Sequence, residues 1–512
     1  MLAERISIHS LETQSGWSPV VRELPADLET PISVYLKLSG QDPSFLLESV
    51  TGGENLARYS FIGVHPSRGY VLRGRDLEIH VQGSVTCQKS QDQDDPLDAL
   101  RAELLQTASP RLPGLPRLTG GLVGYLGYEM MRFFEPSVGL EPHADLPDGI
   151  FLLADTLVAF DHAFGKMLLI ANAYPAGEGR GMNRSEAERR LDELERRLAG
   201  PLPALAETRP SDPVQFSSNL AEDEFMERVR QAKEHITRGD IFQAVLSQRL
   251  SGRTSASPFS IYRALRRLNP SPYMFFFDFA GLGGNEPLYL IGASPEMHVR
   301  LENRQAILRP IAGTRPRGSS GEEDACLEQE LLADPKERAE HIMLVDLARN
   351  DLGQVCEYSS VGIRDQLVVE RYSHVMHIVS QVEGQLTPNL DAFDLLRATF
   401  PAGTVTGAPK IRAMQIIREL EGSPRGPYGG IAGYFASNGS MDTCITLRTL
   451  VMQGQTVHIQ AGAGIVADSE PEREYQETLN KARALAAAVE LAEGRPGQAA
   501  DSGGGSDDRN RR

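Results

Sequence analysis

The chain has 512 residues, enough for two to four domains with a sizeable core. Hydrophobic residues make up 41% and charged residues 24%, the balance of an ordinary globular protein. The formal net charge of −17 excludes the class of proteins that bind nucleic acid or anionic membranes through a basic surface.

Targeting and redox signals both predict a cytoplasmic location. The N-terminal sequence has no apolar segment of the kind that directs secretion, and no run of about 18 apolar residues occurs anywhere. The cysteines show no CxxC spacing, which fits a reducing compartment; they are Cys87, Cys326, Cys356 and Cys444. We therefore expect a soluble protein that contacts neither membrane nor nucleic acid.

The first 200 residues read as a mixed α/β region rich in short strands. Two neighbouring strands predict a hairpin that turns at Phe164 and Gly165. The charged segment 183–199 has apolar residues at helical spacing, and a proline-rich segment follows it. We predict an N-terminal region over 1–200 and a linker over 201–215.

The region from residue 216 predicts longer elements. Phe225 and Ile236 share one face of an amphipathic helix, which Gly239 ends. Further helices fit 259–268, 335–352, 392–399, 408–420 and 471–493, and strands fit 241–250, 273–279, 288–292, 297–301, 430–435, 443–451 and 456–460. This irregular order favours an α+β fold with antiparallel sheets. We predict one domain over 216–493, followed by a disordered tail over 494–512.

Two of these helices each carry a pair of glutamates three residues apart. Glu337 and Glu340 lie on the first helix, and Glu474 and Glu477 lie on the second. Positions i and i+3 share a helix face, so two such faces brought together would form a pocket of four carboxylates. Such a pocket suits a hard divalent cation that keeps several waters, such as Mg²⁺.

Simpler interpretations of these glutamates remain open. Asp334 is a good N-cap, with Glu337 three residues later as in a capping box. Ser469 with Glu472 would cap the second helix likewise. The other three glutamates would then lie on solvated helix surfaces.

Four glycine-rich and threonine-rich turns occur within about 160 residues, at 309–321, 400–410, 425–435 and 460–469. Glycine allows backbone N–H groups to approach a ligand closely, and successive N–H groups in a turn bind anions. None of the four has P-loop or GxGxxG spacing. Together with the carboxylate pairs they indicate a pocket for a polyanion bridged by Mg²⁺.

Taken together, these segments resemble the chorismate-utilising enzymes, and within them the component I chains of anthranilate synthase. The resemblance covers Leu46 to Leu491. Its motifs are GDIFQAVLSQR, NPSPYMFFF, GASPE, RPIAGTRPRG, ERAEHIMLVDLARNDLG, FPAGTVTGAPKIRAM and QAGAGIVADSEPEREYQET. It implies an α+β fold in which two antiparallel β-sheets pack as a sandwich with helices on the outside.

The resemblance implies an enzyme that converts chorismate and ammonia to anthranilate and pyruvate. Ammonia adds at ring C2 and the C4 hydroxyl leaves, which gives 2-amino-2-deoxyisochorismate. Elimination of the enolpyruvyl group as pyruvate then makes the ring aromatic. Mg²⁺ binds the ring carboxylate, and by resemblance Glu340 and Glu474 are its ligands, with Glu337 and Glu477 nearby or acting through water.

By the same resemblance, Glu296 in GASPE is the general acid for the C4 hydroxyl, a role that needs a raised pKa. His377 assists departure of the hydroxyl or the elimination, although a histidine in an apolar run is more often a core residue. The remaining positions matched to the active site are Gly313, Thr314, Thr404, Tyr434, Arg448, Gly462, Ala463, Gly464 and Lys481. Arg448 suits a carboxylate because its guanidinium is planar and bidentate, while for Lys481 an ion pair with Glu477 is the simpler interpretation.

Two positions separate this chain from relatives that catalyse other reactions. Isochorismate and salicylate synthases carry a lysine that activates water, where this chain has Gln243. Aminodeoxychorismate synthases of the common type carry a nucleophilic lysine, where this chain has Ala312. Both absences indicate ammonia as the nucleophile and anthranilate as the product.

The N-terminal region carries a second match, to the tryptophan feedback site of the family. Its residues are Glu48 and Ser49 in LLES, with Pro272, Tyr273 and Met274 in NPSPYMF. LLES alone fits an ordinary strand end, but the match in both segments predicts L-tryptophan as an inhibitor.

The source of ammonia is the remaining expectation. None of the four cysteines has the glycine-flanked setting of an amidotransferase nucleophile. We therefore expect a separate glutamine amidotransferase subunit to supply ammonia, and the family suggests a heterotetramer with two chains of each kind. Two alternatives remain, an aminodeoxychorismate synthase component and a catalytically silent, tryptophan-binding regulatory subunit.

Overall fold

The computed structural model describes residues 17–50, 58–91, 95–174, 182–204, 213–372 and 375–494. Residues 205–212 of the predicted linker, and the predicted tail beyond 494, lie outside the described residues. Within those ranges, every helix is too short or too polar to cross a membrane.

The strands, in chain order, are β1 Ser18–Pro25, β2 Ser44–Glu48, β3 Tyr59–Val64, β4 Gly69–Arg73, β5 Asp76–Val81, β6 Ser84–Gln88, β7 Gly121–Leu126, β8 Gly149–Ala154, β9 Thr156–Asp161, β10 Lys166–Ala173, β11 Ser217–Ser218, β12 Gln243–Arg253, β13 Tyr273–Asp278, β14 Leu288–Ser294, β15 Met297–Glu302, β16 Gln305–Leu308, β17 Ile311–Pro316, β18 Gly362–Arg371, β19 Val375–Gln385, β20 Gly407–Ala408, β21 Ile431–Ala436, β22 Met441–Ile445, β23 Thr449–Gln453 and β24 Thr456–Ile465.

The α-helices are α1 Pro31–Leu38, α2 Pro96–Leu105, α3 Met131–Phe134, α4 Arg184–Leu198, α5 Glu222–Thr237, α6 Pro258–Leu268, α7 Gly321–Ala333, α8 Pro335–Gly353, α9 Ala392–Thr399, α10 Lys410–Glu421 and α11 Pro471–Ala492. Short 3-10 helices span Tyr128–Met130, Pro136–Val138 and Gly403–Val405.

The strands form two antiparallel sheets of twelve strands each. The first sheet has the order β1-β10-β9-β3-β2-β13-β14-β23-β24-β12-β11, with β20 on β12. The second has the order β17-β19-β16-β15-β22-β21-β7-β8-β4-β5-β6, with β18 on β19. Leu46 pairs with Phe276 in the first sheet and Gly124 with Gly433 in the second, so each sheet combines strands from both sides of the predicted linker. The division at 201–215 stays a prediction.

The two sheets pack face to face around an aromatic core. Phe45, Phe275 and Phe277 of the first sheet pack with Tyr125 and Ile150 of the second, and all are almost fully buried. The opposite face of the first sheet is covered by α1, α4, α6 and α11, and that of the second by α2, α8 and α9. The predicted sandwich with helices on the outside is therefore confirmed.

Most predicted elements occur within a few residues of their expected bounds. The helix before Gly239 ends at Thr237, and Gly239 has a φ of +81°, the left-handed conformation that stops a helix. The hairpin at Phe164 and Gly165 is present, since β9 and β10 pair on either side of it. The segment 456–460 is longer than predicted, because β24 continues to Ile465.

The single strand predicted over 443–451 is wrong. One strand ends at Ile445 in the second sheet, and the next begins at Thr449 in the first. The connecting residues cross between the sheets, and Arg448 has a φ of +46°, outside the β region of backbone conformation. Local apolar and β-branched residues continue through this segment, so propensity alone did not indicate the break.

Candidate active site

Glu296 lies where the chain passes from the first sheet to the second, between β14 and β15. A second crossing, between β22 and β23, runs beside it: Ile445 N–H donates to the Glu296 carbonyl at 3.1 Å, and Ser294 Oγ donates to the Ile445 carbonyl at 2.6 Å. The paired crossings hold Glu296 between the two sheets.

The carboxyl group of Glu296 is set up as an acid. The residue is 6% exposed, and burial raises its pKa to about 7. Thr404 Oγ1, in the 3-10 helix Gly403–Val405, donates to Glu296 Oε1 at 2.6 Å and limits that rise. The cavity beside this carboxyl group is also lined by Leu344, Leu347 and Asp351 of α8.

His377 lies on β19 beside the bulge that interrupts the pairing of β17 and β19. Its Nδ1 is 2.9 Å from the Gly313 carbonyl and 3.1 Å from Thr314 Oγ1. Because a carbonyl only accepts, Nδ1 carries the proton and Nε2 keeps its lone pair. Burial lowers the pKa of His377, and Arg448 lowers it further, so the imidazole is neutral at neutral pH.

Gly313 shapes this corner through its backbone. Its φ is +70°, and a Cβ there would lie 3.0 Å from Leu331 Cδ1 and 3.1 Å from Glu337 Oε2. The glycine therefore allows α8 to pack closely against β17. That approach places Glu337 of α8 beside Gly313.

The two glutamate-bearing helices converge. Burial raises the pKa of Glu340 on α8, the charge of Glu337 raises it further, and a hydrogen bond from the Gln243 amide lowers it. Burial also raises the pKa of Glu474 on α11. Lys336 of α8 acts electrostatically on Glu474, and Lys481 of α11 acts on Glu340. Carboxylates from two distant segments thus share one electrostatic environment.

The four glutamates differ in their partners. Glu337 is paired with Arg315 at 3.2 Å, and Glu477 is paired with Lys481 at 2.7 Å. Glu340 and Glu474 make no ion pair with any described residue. The two unpaired carboxylates are the pair predicted as metal ligands.

These two carboxylates fit a magnesium ion. No group of three or more His, Cys, Asp or Glu side chains within the described ranges is arranged to hold a metal by itself. Mg²⁺ typically takes one or two carboxylates and fills its other positions with water and substrate oxygen. Two partly buried carboxylates with raised pKa values and no ion pair among the described residues supply such a donor set.

The predicted helix cap is present on α8 but not on α11. Asp334 is the N-cap of α8, where its side chain accepts from the backbone N–H groups of Lys336 and Glu337. The predicted cap by Ser469 and Glu472 is wrong. The N-cap of α11 is the next residue and makes no side-chain cap, and Ser469 Oγ instead accepts from Val466 N–H at 3.0 Å.

Lys481 reaches across from α11 to the inner face of β24. Its Nζ donates to the Gly462 carbonyl at 3.0 Å as well as to Glu477. A Cβ at Gly464 would lie 2.7 Å from Gln243 Nε2, so the glycine leaves room for that amide. Ala463 points the opposite way, into the core under α5 and α10, and only its backbone can face the site.

Arg448 is largely shielded from water and has no hydrogen-bonding or ionic partner for its guanidinium among the described residues. Burial lowers its pKa, because no carboxylate compensates for the lost solvation. Its charge acts on His377, which places the two side chains close together. A carboxylate bound beside His377 would supply the missing partner.

Tyr434 is not brought to this site, and its assignment to substrate binding is corrected. It pairs with Val123 and Asp442 in the second sheet and faces the interior of the sandwich. There it lines a separate cavity. The tyrosine that does lie beside Gly462 is Tyr428, whose hydroxyl oxygen is 2.6 Å from the position of a Cβ on that glycine.

The cavity that contains Tyr434 is also lined by all five residues of the predicted inhibitor site, namely Glu48, Ser49, Pro272, Tyr273 and Met274. The pairing of β2 with β13 brings the two segments together, with Met274 opposite Glu48. The Glu48 carboxylate is already bound by Arg266 Nε at 3.0 Å and by Tyr262 at 2.5 Å. Its side chain therefore faces α6, and Glu48 contributes mainly backbone to the cavity.

Arg425, a buried arginine that the sequence did not indicate, connects several parts of the site. Its guanidinium donates to the Glu421 carboxylate, to the Val405 carbonyl at 2.7 Å and to the Val245 carbonyl at 2.7 Å. Val405 follows Thr404, and Val245 lies two residues after Gln243. The only local signal is an arginine inside a glycine-rich turn, which does not reveal these distant partners.

Comparisons with known proteins identify the family of this chain. The family described as chorismate binding enzyme matches residues 43–487. Anthranilate synthase component 1 of Acinetobacter calcoaceticus is 45% identical, with 92% of this chain and 95% of that protein covered. The corresponding protein of Pseudomonas putida is 46% identical, with 93% and 96% covered.

Solved structures agree as well. The crystal structure of anthranilate synthase component I from Streptococcus pneumoniae TIGR4 superposes with a TM-score of 0.73 at 37% identity, covering 90% of this chain and 99% of that one. The menaquinone-specific isochorismate synthase of Escherichia coli shares the fold, with a TM-score of 0.69 at 20% identity and 93% and 96% covered. The chain belongs to the chorismate binding enzyme family.

Proposed function

We propose that this chain is the synthase subunit of an anthranilate synthase, a lyase of tryptophan biosynthesis that forms anthranilate and pyruvate from chorismate and ammonia. The similarity to component 1 proteins over almost the whole chain supports this assignment. Within the site, the observation that most supports this assignment is the environment of the Gln243 side chain. Its amide donates to Glu340, while its Oε1 is buried without a partner among the described residues.

An unpartnered buried acceptor requires a donor to offset its lost hydration. Ammonia offers N–H donors, and Gln243 Oε1 would hold it with its lone pair directed at the ring. A neutral amide cannot deprotonate water as a lysine would, so hydration of the ring is not promoted. Ala312 likewise offers no side-chain nucleophile.

The first chemical step needs a proton for the departing C4 hydroxyl. With a pKa of about 7, a substantial fraction of Glu296 is protonated at neutral pH. Because Thr404 donates to Oε1, the acid proton is placed on Oε2. Glu296 gives that proton to the C4 oxygen, which leaves as water while ammonia forms its bond to C2.

The second step removes the C2 proton and breaks the bond from the ring to the enolpyruvyl oxygen. Neutral His377 presents an Nε2 lone pair whose direction is fixed by the bond from Nδ1 to the Gly313 carbonyl. It serves either this elimination or the preceding loss of the hydroxyl. The two roles are separable, because a variant that has lost only the elimination would accumulate 2-amino-2-deoxyisochorismate.

Charge on the dicarboxylate substrate is met from several directions. Glu340 and Glu474 would hold Mg²⁺, with Glu337 and Glu477 acting through water, and the ion supplies positive charge for the ring carboxylate. Arg448 binds the side-chain carboxylate as a planar, bidentate donor. Lys481, and the backbone of Gly313, Thr314 and Gly462 to Gly464, complete the binding surface.

We assign the cavity between the sheets to L-tryptophan as a feedback inhibitor. Ser49, Pro272, Tyr273 and Met274 line it, and Tyr434 joins them. Asp442 also lines this cavity, 3.0 Å from the Tyr273 hydroxyl, and its carboxylate is paired with Arg300 at 2.9 Å. A glutamine amidotransferase subunit, in a heterotetramer with this chain, would supply ammonia.

One assay tests the proposal. The purified chain is given chorismate and ammonium with and without Mg²⁺, and anthranilate is followed by fluorescence while pyruvate is measured separately. Anthranilate and pyruvate in equal amounts, only with Mg²⁺, support it. An aminated product without pyruvate identifies an aminodeoxychorismate synthase, and tryptophan binding without turnover identifies a silent regulatory subunit.

A further inference from the structure

A third cavity, distinct from those beside Glu296 and Tyr434, lies on the same face of the first sheet as Gly462 and Gly464, farther along β24. Its lining includes Arg249 on β12, His458 and Gln460 on β24, and His143 in the loop before β8. We call it the basic cavity. His458 is four residues from Gly462, so the two regions are roughly 13 Å apart along the strand at about 3.3 Å per residue.

Arg249 has no partner that accounts for its charge. Its Nε is buried and makes no hydrogen bond, and its guanidinium forms no ion pair with any described residue. A second arginine, Arg425, also lines the basic cavity, but Glu421 and two carbonyl groups satisfy it. The charge of Arg425 is therefore compensated within the protein, whereas the charge of Arg249 is not compensated by any described residue.

The histidines add further donors. His143 Nδ1 accepts from the backbone N–H groups of Asp145 and Leu146, both at 3.2 Å, so its proton lies on Nε2. His458 Nδ1 is 2.8 Å from Ser251 Oγ. The Nε2 atom of each ring has no hydrogen bond to a described residue, and both rings line the basic cavity.

Negative charge near the basic cavity is sparse, although the whole chain carries −17. Asp145 is the carboxylate in its lining, and it is exposed to solvent and makes no ion pair within the described ranges. Asp148, which also acts on His143, is held by Arg132 at 2.7 Å. Burial lowers the pKa of both histidines, and the charge of Arg249 lowers it further.

We propose that the basic cavity binds a tetrahedral oxyanion of the phosphate type, in contact with Arg249, His143 and His458. Donors converge from β12, β24 and the loop before β8, which suits oxygens that point in different directions. The Gln460 amide, which donates to Ser247 Oγ at 2.8 Å, fixes the floor of the site. The bound anion supplies the counter-charge that Arg249 lacks.

Isothermal titration of the full chain with inorganic phosphate, at constant ionic strength in chloride, tests this proposal. Arg249→Gln should weaken binding at least tenfold. Arg253→Gln is the matched control, because Arg253 lies on the same strand, is exposed, and its side chain bonds to Gln455; its phosphate binding should stay within twofold of wild type. If Arg249→Gln fails to fold, His458→Gln provides the same comparison.

A second arm uses sulfate, which stays doubly charged across the neutral range. An anion favours protonated histidine, so sulfate affinity should rise as the pH falls from about 8 to about 6. The charged groups around the two rings are Arg249, Asp145, Asp148 in its pair with Arg132, and Arg425 in its pair with Glu421. No binding by wild type at millimolar phosphate, or equal affinity in wild type and Arg249→Gln, would overturn the proposal. Neither result bears on anthranilate formation, which is assayed separately.

Discussion

Replacement of Glu296 by glutamine tests the buried acid on which the proposed reaction depends. Glu296 is 6% exposed, and burial raises its pKa to about 7 from an ordinary value of 4.5. Glutamine has the shape of the protonated acid, but it has no acidic proton to give and cannot ionise. We expect kcat of Glu296→Gln to fall by about 10²–10⁴-fold, the usual contribution of a general acid.

The same substitution should also change how the free energy of unfolding depends on pH. A carboxyl group with a higher pKa in the folded protein stabilises the fold below its unfolded pKa of 4.5, and this contribution is lost as the pH rises through about 7. The difference corresponds to roughly 3 kcal/mol, at about 1.4 kcal/mol per pH unit. Glu296→Gln does not suffer this loss. Its free energy of unfolding relative to wild type should therefore increase by about 3 kcal/mol across that range.

Chemical denaturation of both proteins at about pH 5 and about pH 8 measures this difference, and anthranilate fluorescence gives kcat. Thr404→Val is the matched control, because it removes the hydrogen bond that lowers the pKa of Glu296 and keeps the acid. Its activity should persist to higher pH than that of wild type. A stability difference independent of pH, or wild-type turnover in Glu296→Gln, would refute the reasoning.

Three further substitutions address the rest of the site. Glu340→Gln should lower turnover by more than about 100-fold while the melting temperature is kept, because only the proposed ion loses a ligand; activity is titrated with Mg²⁺. Ser49→Phe should relieve tryptophan inhibition with little change in turnover, because the larger ring fills the cavity between the sheets; inhibition curves measure this. Arg425→Lys should lower the free energy of unfolding by about 3–5 kcal/mol and kcat by about tenfold or more. The reason is that lysine cannot bridge Glu421, Val405 and Val245. Chemical denaturation measures the first effect and steady-state kinetics the second.

Each of these has an outcome that contradicts it. Glu472→Gln, on an exposed position of α11, controls for the loss of a carboxylate, and equal activity in it and Glu340→Gln would remove Glu340 from the metal site. Unchanged tryptophan sensitivity in Ser49→Phe would remove the inhibitor from this cavity. A kcat of Arg425→Lys equal to wild type, with stability reduced, would leave Arg425 a purely structural role.

Most residues of the candidate site could be proposed from the sequence because they lie in short contiguous motifs. The glutamate pairs follow from helical spacing, and the motifs around Glu296, His377 and Gly313 are contiguous strings. Both helices carrying the glutamates formed with the expected face, since capping at Asp334 and apolar periodicity act within a few residues. The resemblance to chorismate-utilising enzymes rested on the same strings and is confirmed.

Other features were decided only by tertiary structure. Arg448 lies in a crossing between sheets because the partner strands of β22 and β23 belong to different sheets, and no local pattern distinguishes that break from a continuous strand. Tyr434 and Tyr428 are six residues apart in one glycine-rich segment, yet they face different cavities.

The physical reason is the range of the interactions involved. Helix caps, turns and side-chain spacing depend on neighbours in the chain, so amino-acid order alone determines them. The hydrogen bond from Thr404 to Glu296 and the bond from Arg425 to the Val245 carbonyl each join residues more than a hundred positions apart, and the burial that raises the pKa of Glu296 also depends on the tertiary fold. Those properties exist only once the two sheets have packed.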